Sequence, residues 1–167
     1  MKILFAASEA LPFIKVGGLG DVAGALPKAL VQKGHDVRVV IPLYSSMKQQ
    51  MRDQCQYMKH FYFNFGWRSS YCGVFTALVD GVTYYLIDNE QYFKRPAPYG
   101  EYDDAERFAY FSKAVLEILP QVGFFPDVIH ANDWHTALVS VYLDTQYRLI
   151  EGYGNIKTVF SIHNIEF

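Results

Sequence analysis

The first 42 residues constrain the fold more than any later stretch, because they read as strand, helix, strand. Lys2-Ile3-Leu4-Phe5-Ala6-Ala7-Ser8 is a short, continuous apolar run of the kind buried on both faces of a sheet. Leu19, Val22, Ala23, Leu26, Ala29 and Leu30 then recur at helical spacing through Lys33, with Gly34 as the stop. Pro27 is expected to interrupt and kink that helix. Asp36–Pro42 is the second strand. A helical crossover of this length makes the two strands parallel and the connection right-handed.

The remainder repeats the alternation with one break. Residues 61–65, 71–79 and 82–87 are β-rich with short turns, and Asp80-Gly81 marks a hairpin, so an antiparallel excursion is set into a mainly parallel sheet. Residues 89–101 form a loop rich in proline and aromatics. Asp103–Leu119 reads as an amphipathic helix stopped at Pro120 and Gly123. Asp127–Ala131 is a buried strand, Asn132-Asp133 caps a helix from Trp134 to about Leu149, and Lys157–Ile162 is the last strand. The expected fold class is α/β: a Rossmann-like, doubly wound sheet.

Composition narrows the function classes. At 167 residues the chain matches one domain of about 100–200 residues, and 51% hydrophobic content supplies a core. A net charge of -2 argues against a nucleic-acid partner bound by phosphate neutralisation. Cys55 and Cys72 are distant and lack a metal-ligand spacing; no metal site, cofactor, signal peptide or membrane span is indicated, and the chain reads as cytoplasmic.

Three expected strand ends carry polar residues: the Ser8–Asp21 loop, Asn132-Asp133-Trp134-His135, and His163-Asn164. In open α/β sheets, ligands bind outside the carboxyl ends of strands. Gly17 and Gly18 open a helix whose first N–H groups suit an anion, with Lys15 just before them. The loop fits neither G-x-G-x-x-G nor the P-loop pattern. Asp21 reads equally as a ligand-site acid or as an acid offsetting the helix dipole. Asp133 alone reads better as a helix cap than as an acid catalyst, and Trp134 as core. His135 is either a hydrogen-bond donor or a surface residue, and His163 is the stronger candidate for bonding a hydroxyl.

Together these residues resemble a known family. Ser8-Glu9, Pro12-Phe13, Lys15-Val16-Gly17-Gly18-Leu19-Gly20-Asp21-Val22 and Ala25-Leu26-Pro27 look like the start of bacterial glycogen synthases and plant starch synthases. Tyr85-Leu86-Ile87-Asp88, His130-Ala131-Asn132-Asp133-Trp134-His135 and His163-Asn164 follow in the family's order. The resemblance implies a GT-B glucosyltransferase that extends an α-1,4-glucan from ADP-glucose, or UDP-glucose, with retention. It implies Asp21 and His163 as catalytic-centre residues, and Lys15, Gly17 and Gly18 as donor-binding. Asp133, His135 and Tyr99 would shape the sugar and acceptor pocket. Residues 1–167 correspond to part of the family's N-terminal, acceptor-side domain, and the nucleotide-binding C-terminal domain is absent from them. The expectation is therefore that this chain alone does not catalyse transfer, and that an uncovered sheet edge promotes self-association. Another GT-B transferase, or a non-catalytic glucan-binding or regulatory half-enzyme, are the competing readings.

Overall fold

The computed structural model describes residues 1–164. Seven strands form one sheet: β1 (Lys2–Ala6), β2 (Asp36–Pro42), β3 (Gln56–Phe65), β4 (Arg68–Val79), β5 (Val82–Asp88), β6 (Val128–Asn132) and β7 (Lys157–Ser161). The helices are α1 (Gly18–Gln32), the single turns α2 (Gln49–Arg52) and α3 (Glu90–Phe93), α4 (Asp104–Val122) and α5 (Leu138–Tyr142). The spatial order is β3-β4-β5-β2-β1-β6-β7. β5, β2, β1, β6 and β7 are mutually parallel, and β3 and β4 add on antiparallel, as the β-rich excursion predicted. Strand order reverses direction between β1 and β6, which is the topological switch point of a doubly wound sheet.

Alternation along β1 and β2 assigns the two faces. Phe5, Val39 and Ile41 pack with Leu19 and Ala23 of α1. Leu4, Ala6 and Val40 pack with Phe111, Val115 and Leu119 of α4 and Val139 of α5. Both faces of the central strands are therefore dry, which explains their near-continuous apolar sequences.

Three sequence expectations change. Pro120 does not end the helix at Leu119: α4 runs through it to Val122, and Gly123 closes it in the left-handed conformation. A proline at 120 frees the carbonyl of Leu116, four residues earlier. That oxygen accepts a bond from the buried Tyr153 hydroxyl at 2.8 Å, so the helix continues with no orphaned acceptor. The helix expected from Trp134 to about Leu149 is three successive pieces instead. A 3₁₀ turn spans Trp134–Thr136, α5 follows, and a π turn covers Leu143–Tyr147. Pro27 sits inside α1, which is continuous across it. No described helix is long and apolar enough to cross a membrane.

Candidate functional site at the switch point

The carboxyl ends of β1, β6 and β7 empty into one cleft of about 380 Å³. Its lining includes Glu9, Gly17, Gly18, Tyr99, Asp133, His135, His163 and Asn164. Six of the eight residues singled out from sequence thus converge. Lys15 and Asp21 do not line this cleft. They pair with each other at 2.6 Å, both side chains about half exposed, and Asp21 borders a neighbouring groove with Leu11, Gly24 and Lys28. An exposed pair of this kind contributes under about 1 kcal/mol, so it can open to an anion at little cost.

Glu9 is the residue that sequence reasoning passed over. Its side chain is buried and accepts the Val16 N–H and the Gly17 N–H, the latter with both oxygens at 3.2 and 3.1 Å. The carboxylate therefore takes the N–H groups just before α1. The first-turn groups of Gly18, Leu19 and Gly20 are left without intrahelical acceptors. The glycines also divide by purpose. A Cβ at Gly20 would lie 3.0 Å from the Lys15 side chain, so packing of the loop onto α1 requires glycine there. A Cβ at Gly18 would meet nothing within 4 Å. Protein packing does not ask for glycine at 18, and its open side leaves room for a ligand to approach the backbone.

Asp133 corrects its sequence reading. It precedes the 3₁₀ turn, but its side chain makes no capping bond. Its carboxylate accepts the backbone N–H of His163 at 2.8 Å and of Asn164 at 3.2 Å. Its backbone sits at φ 59°, ψ 176°, a region costly for any residue with a Cβ and typical of functional sites. Bonds on either side fix that geometry: Asp133 N–H to the Ser161 carbonyl at 2.8 Å, and Thr136 N–H to the Asp133 carbonyl at 3.0 Å.

The same strand end sets the tautomer of His163. Asn132 Nδ2 donates to the carbonyls of Ala6 at 3.2 Å and His130 at 3.0 Å, which turns Asn132 Oδ1 toward His163 Nε2, 2.9 Å away. Oδ1 only accepts, so Nε2 carries a proton and Nδ1 is the ring nitrogen left for another partner. His135 lies in an aromatic box, with its ring centroid 3.9 Å from Trp134, 4.7 Å from Phe108 and 4.8 Å from Tyr99. Burial pushes its pKa down to about 4, against the attraction of Asp133, so it is a neutral imidazole at pH 7. Burial, with the Glu9 and Asp133 carboxylates adding to it, pushes the Tyr99 hydroxyl up to about 12.

Tyr99 owes its place to Arg107, a fully buried arginine. Arg107 donates to the Tyr92 carbonyl at 2.7 Å, to the Pro98 carbonyl at 3.0 Å and to the Asp104 carboxylate. Asp104 in turn accepts the Gly100 N–H at 2.6 Å. The residues on both sides of Tyr99 are thereby clamped. No group of three or more His, Cys, Asp or Glu among the described residues is placed to hold a metal ion.

Residues 2–167 match the family model described as the starch synthase catalytic domain. The chain belongs to that family. It is 55% identical over 167 residues to a glycogen synthase of Bacillus cereus, strain B4264, covering all of this chain and 35% of that protein. A glycogen synthase of Streptococcus agalactiae is 53% identical over the same length, again with 35% of its own chain covered. Among solved structures, the catalytic domain of starch synthase IV from Arabidopsis thaliana, bound to ADP and acarbose, superposes with a TM-score of 0.87. That match is 35% identical and covers 98% of this chain and 34% of the other. This starch synthase family segment thus spans about a third of the length of the curated relatives it matches.

Proposed function

We propose that this chain supplies the acceptor-side wall of a glucosyltransferase that moves glucose from ADP-glucose to the non-reducing end of an α-1,4-glucan, with retention at the anomeric carbon. The observation that carries the reading is the convergence of the open α1 N-terminus, Asp133 and His163 on one cleft at the switch point. The relatives named as glycogen synthases, and a structural neighbour bound to ADP and acarbose, support the donor and the glucan.

In this reading, unpaired N–H groups at the start of α1, with Lys15 released from Asp21, face the distal phosphate of the donor. They stabilise the negative charge that builds on the leaving diphosphate. His163 Nδ1 accepts a glucose hydroxyl while Asn132 holds the ring. Asp133 works through the backbone of His163 and Asn164, and His135 and Tyr99 bound the sugar pocket with uncharged edges. Asp21, once free of Lys15, stands in this reading beside the donor glucose and the acceptor. Residues 1–167, about a third of the length of the relatives, do not in this reading turn over by themselves. The β7 edge, where Val159 and Phe160 are exposed, supports self-association of the isolated chain, which light scattering at high concentration reads directly.

The test is product analysis with the complete protein, given ADP-glucose and a maltooligosaccharide labelled at its reducing end. Products longer by single α-1,4-linked glucose units support the reading. Donor hydrolysis without chain growth, or growth from a different sugar nucleotide only, contradicts it.

A further inference from the structure

The first half of α4 holds the two uncharged parts of the cleft rim. Asp104, Arg107, Phe108 and Ser112 recur at helical spacing, so they share one face of that helix. Asp104 takes the Gly100 N–H and Arg107 the Pro98 carbonyl, which fixes Tyr99 from both sides. Phe108 meets His135 edge-on with ring centroids 4.7 Å apart, and the Ser112 hydroxyl donates to the His135 carbonyl at 3.2 Å. One helix thus sets Tyr99 and His135 relative to each other, at a centroid separation of 4.8 Å. The mouth of the Tyr99 loop is closed separately by Arg95, which pairs with Asp103 at 2.7 Å.

Stability does not explain the choice of arginine at 107. A guanidinium buried this completely loses hydration that its ion pair only partly returns, and a well-packed apolar side chain often serves a fold as well. An apolar group cannot bond the Tyr92 carbonyl on α3 and the Pro98 carbonyl before Tyr99 from two nitrogens of one rigid plane. That fork decides where the loop sits over the sheet. On the opposite face, α1 packs in the other core cluster, and the backbone leading into it has its own brace in Glu9. The donor end and the sugar-pocket end of the cleft are therefore positioned by different elements. We propose that Arg107 is a positioning residue for the acceptor glucan: fully buried, it touches no substrate, and it acts through Tyr99 to set the width of the pocket beside His135. The proposal rests on the glucosyltransferase reading above, in which Tyr99 and His135 bound that pocket.

The test is a double-mutant cycle in the complete protein, assayed with ADP-glucose and varied maltoheptaose. The variants are Arg107→Lys, Tyr99→Ala and the two combined, with thermal unfolding followed alongside. Lysine keeps the charge beside Asp104, but its single nitrogen cannot reach all three acceptors. Arg107→Lys is expected to raise the maltoheptaose KM about tenfold, with kcat and the ADP-glucose KM held within about twofold. In the Tyr99→Ala background the same substitution is expected to change the maltoheptaose KM by less than about twofold, whereas a general fold defect would add in both backgrounds. If Arg107→Lys does not fold, Arg95→Ala takes its place, with an expected rise of about threefold and the same cancellation. Equal losses in the two backgrounds, an unchanged maltoheptaose KM in a folded variant, or an ADP-glucose KM that rises as far, each overturn the positioning role and leave the glucosyltransferase reading standing. No chain growth by the unsubstituted protein overturns both.

Discussion

The two ends of this sheet treat polar chemistry in opposite ways. At the carboxyl ends of β1, β6 and β7, the polar side chains of Glu9, Asn132 and Asp133 are buried and tied down, and the exposed His163 is anchored to them. Glu9 is held by two backbone N–H groups, Asp133 by two more, and His163 by an asparagine that is itself bonded twice. On the β3–β4 hairpin the side chains are exposed and mostly touch one another. A reacting centre needs groups fixed before the ligand arrives, and buried hydrogen bonds provide that. The contrast predicts that substitutions of the buried, bonded groups beneath the rim cost stability, whereas substitutions on the exposed hairpin leave it nearly unchanged.

The largest effect is expected from Arg107→Met. Removing a fully buried guanidinium strands Asp104 and two carbonyls, at a cost of about 3–5 kcal/mol in denaturant unfolding. Mobility of the Tyr99 loop, read by faster amide exchange at Gly100, is expected alongside it. Glu9→Ala comes next: leaving the Val16 and Gly17 N–H groups without their acceptor costs about 1–3 kcal/mol. Hydrogen exchange at those two amides is expected to accelerate while that of β2 stays slow.

His135 gives a pH test of the same rim. Its folded pKa of about 4 lies below the usual value of 6.5, so between those values the unfolded chain binds the extra proton. Stability is then full above about pH 6.5 and falls as pH drops toward 4, with a slope approaching about 1.4 kcal/mol per pH unit. His135→Phe should flatten that slope. An unchanged pH profile would show that the aromatic box does not hold the imidazole neutral. The smallest effect belongs to the hairpin. Tyr62→Ala is expected to shift unfolding by no more than about 0.5 kcal/mol, and a larger loss would mean that its ring is structural.

Much of this division was legible in the sequence. Apolar runs and helical spacing located β1, α1 and β2, Asp80-Gly81 located the β4–β5 turn, and the three polar strand ends located the cleft. What escaped depends on partners distant along the chain. Pro120 reads as a stop because nothing nearby announces that Tyr153 will satisfy Leu116. Asp133 reads as a cap because its true partners, the amides of His163 and Asn164, lie thirty and thirty-one residues later. Glu9 carries no periodicity at all. Its trace in the sequence is the Ser8-Glu9 pair among the residues that resemble the family, and the resemblance names no role for it. Arg107 looked like one more polar position on an amphipathic helix, and only its complete burial gives it away.

His163→Ala in the complete protein, assayed for glucose transfer from ADP-glucose alongside thermal unfolding, tests the central claim most directly. The account predicts that kcat falls by about a hundredfold or more, as for loss of one transition-state hydrogen-bonding group, with the unfolding midpoint held. Turnover at the unmodified rate in a folded His163→Ala protein would contradict it.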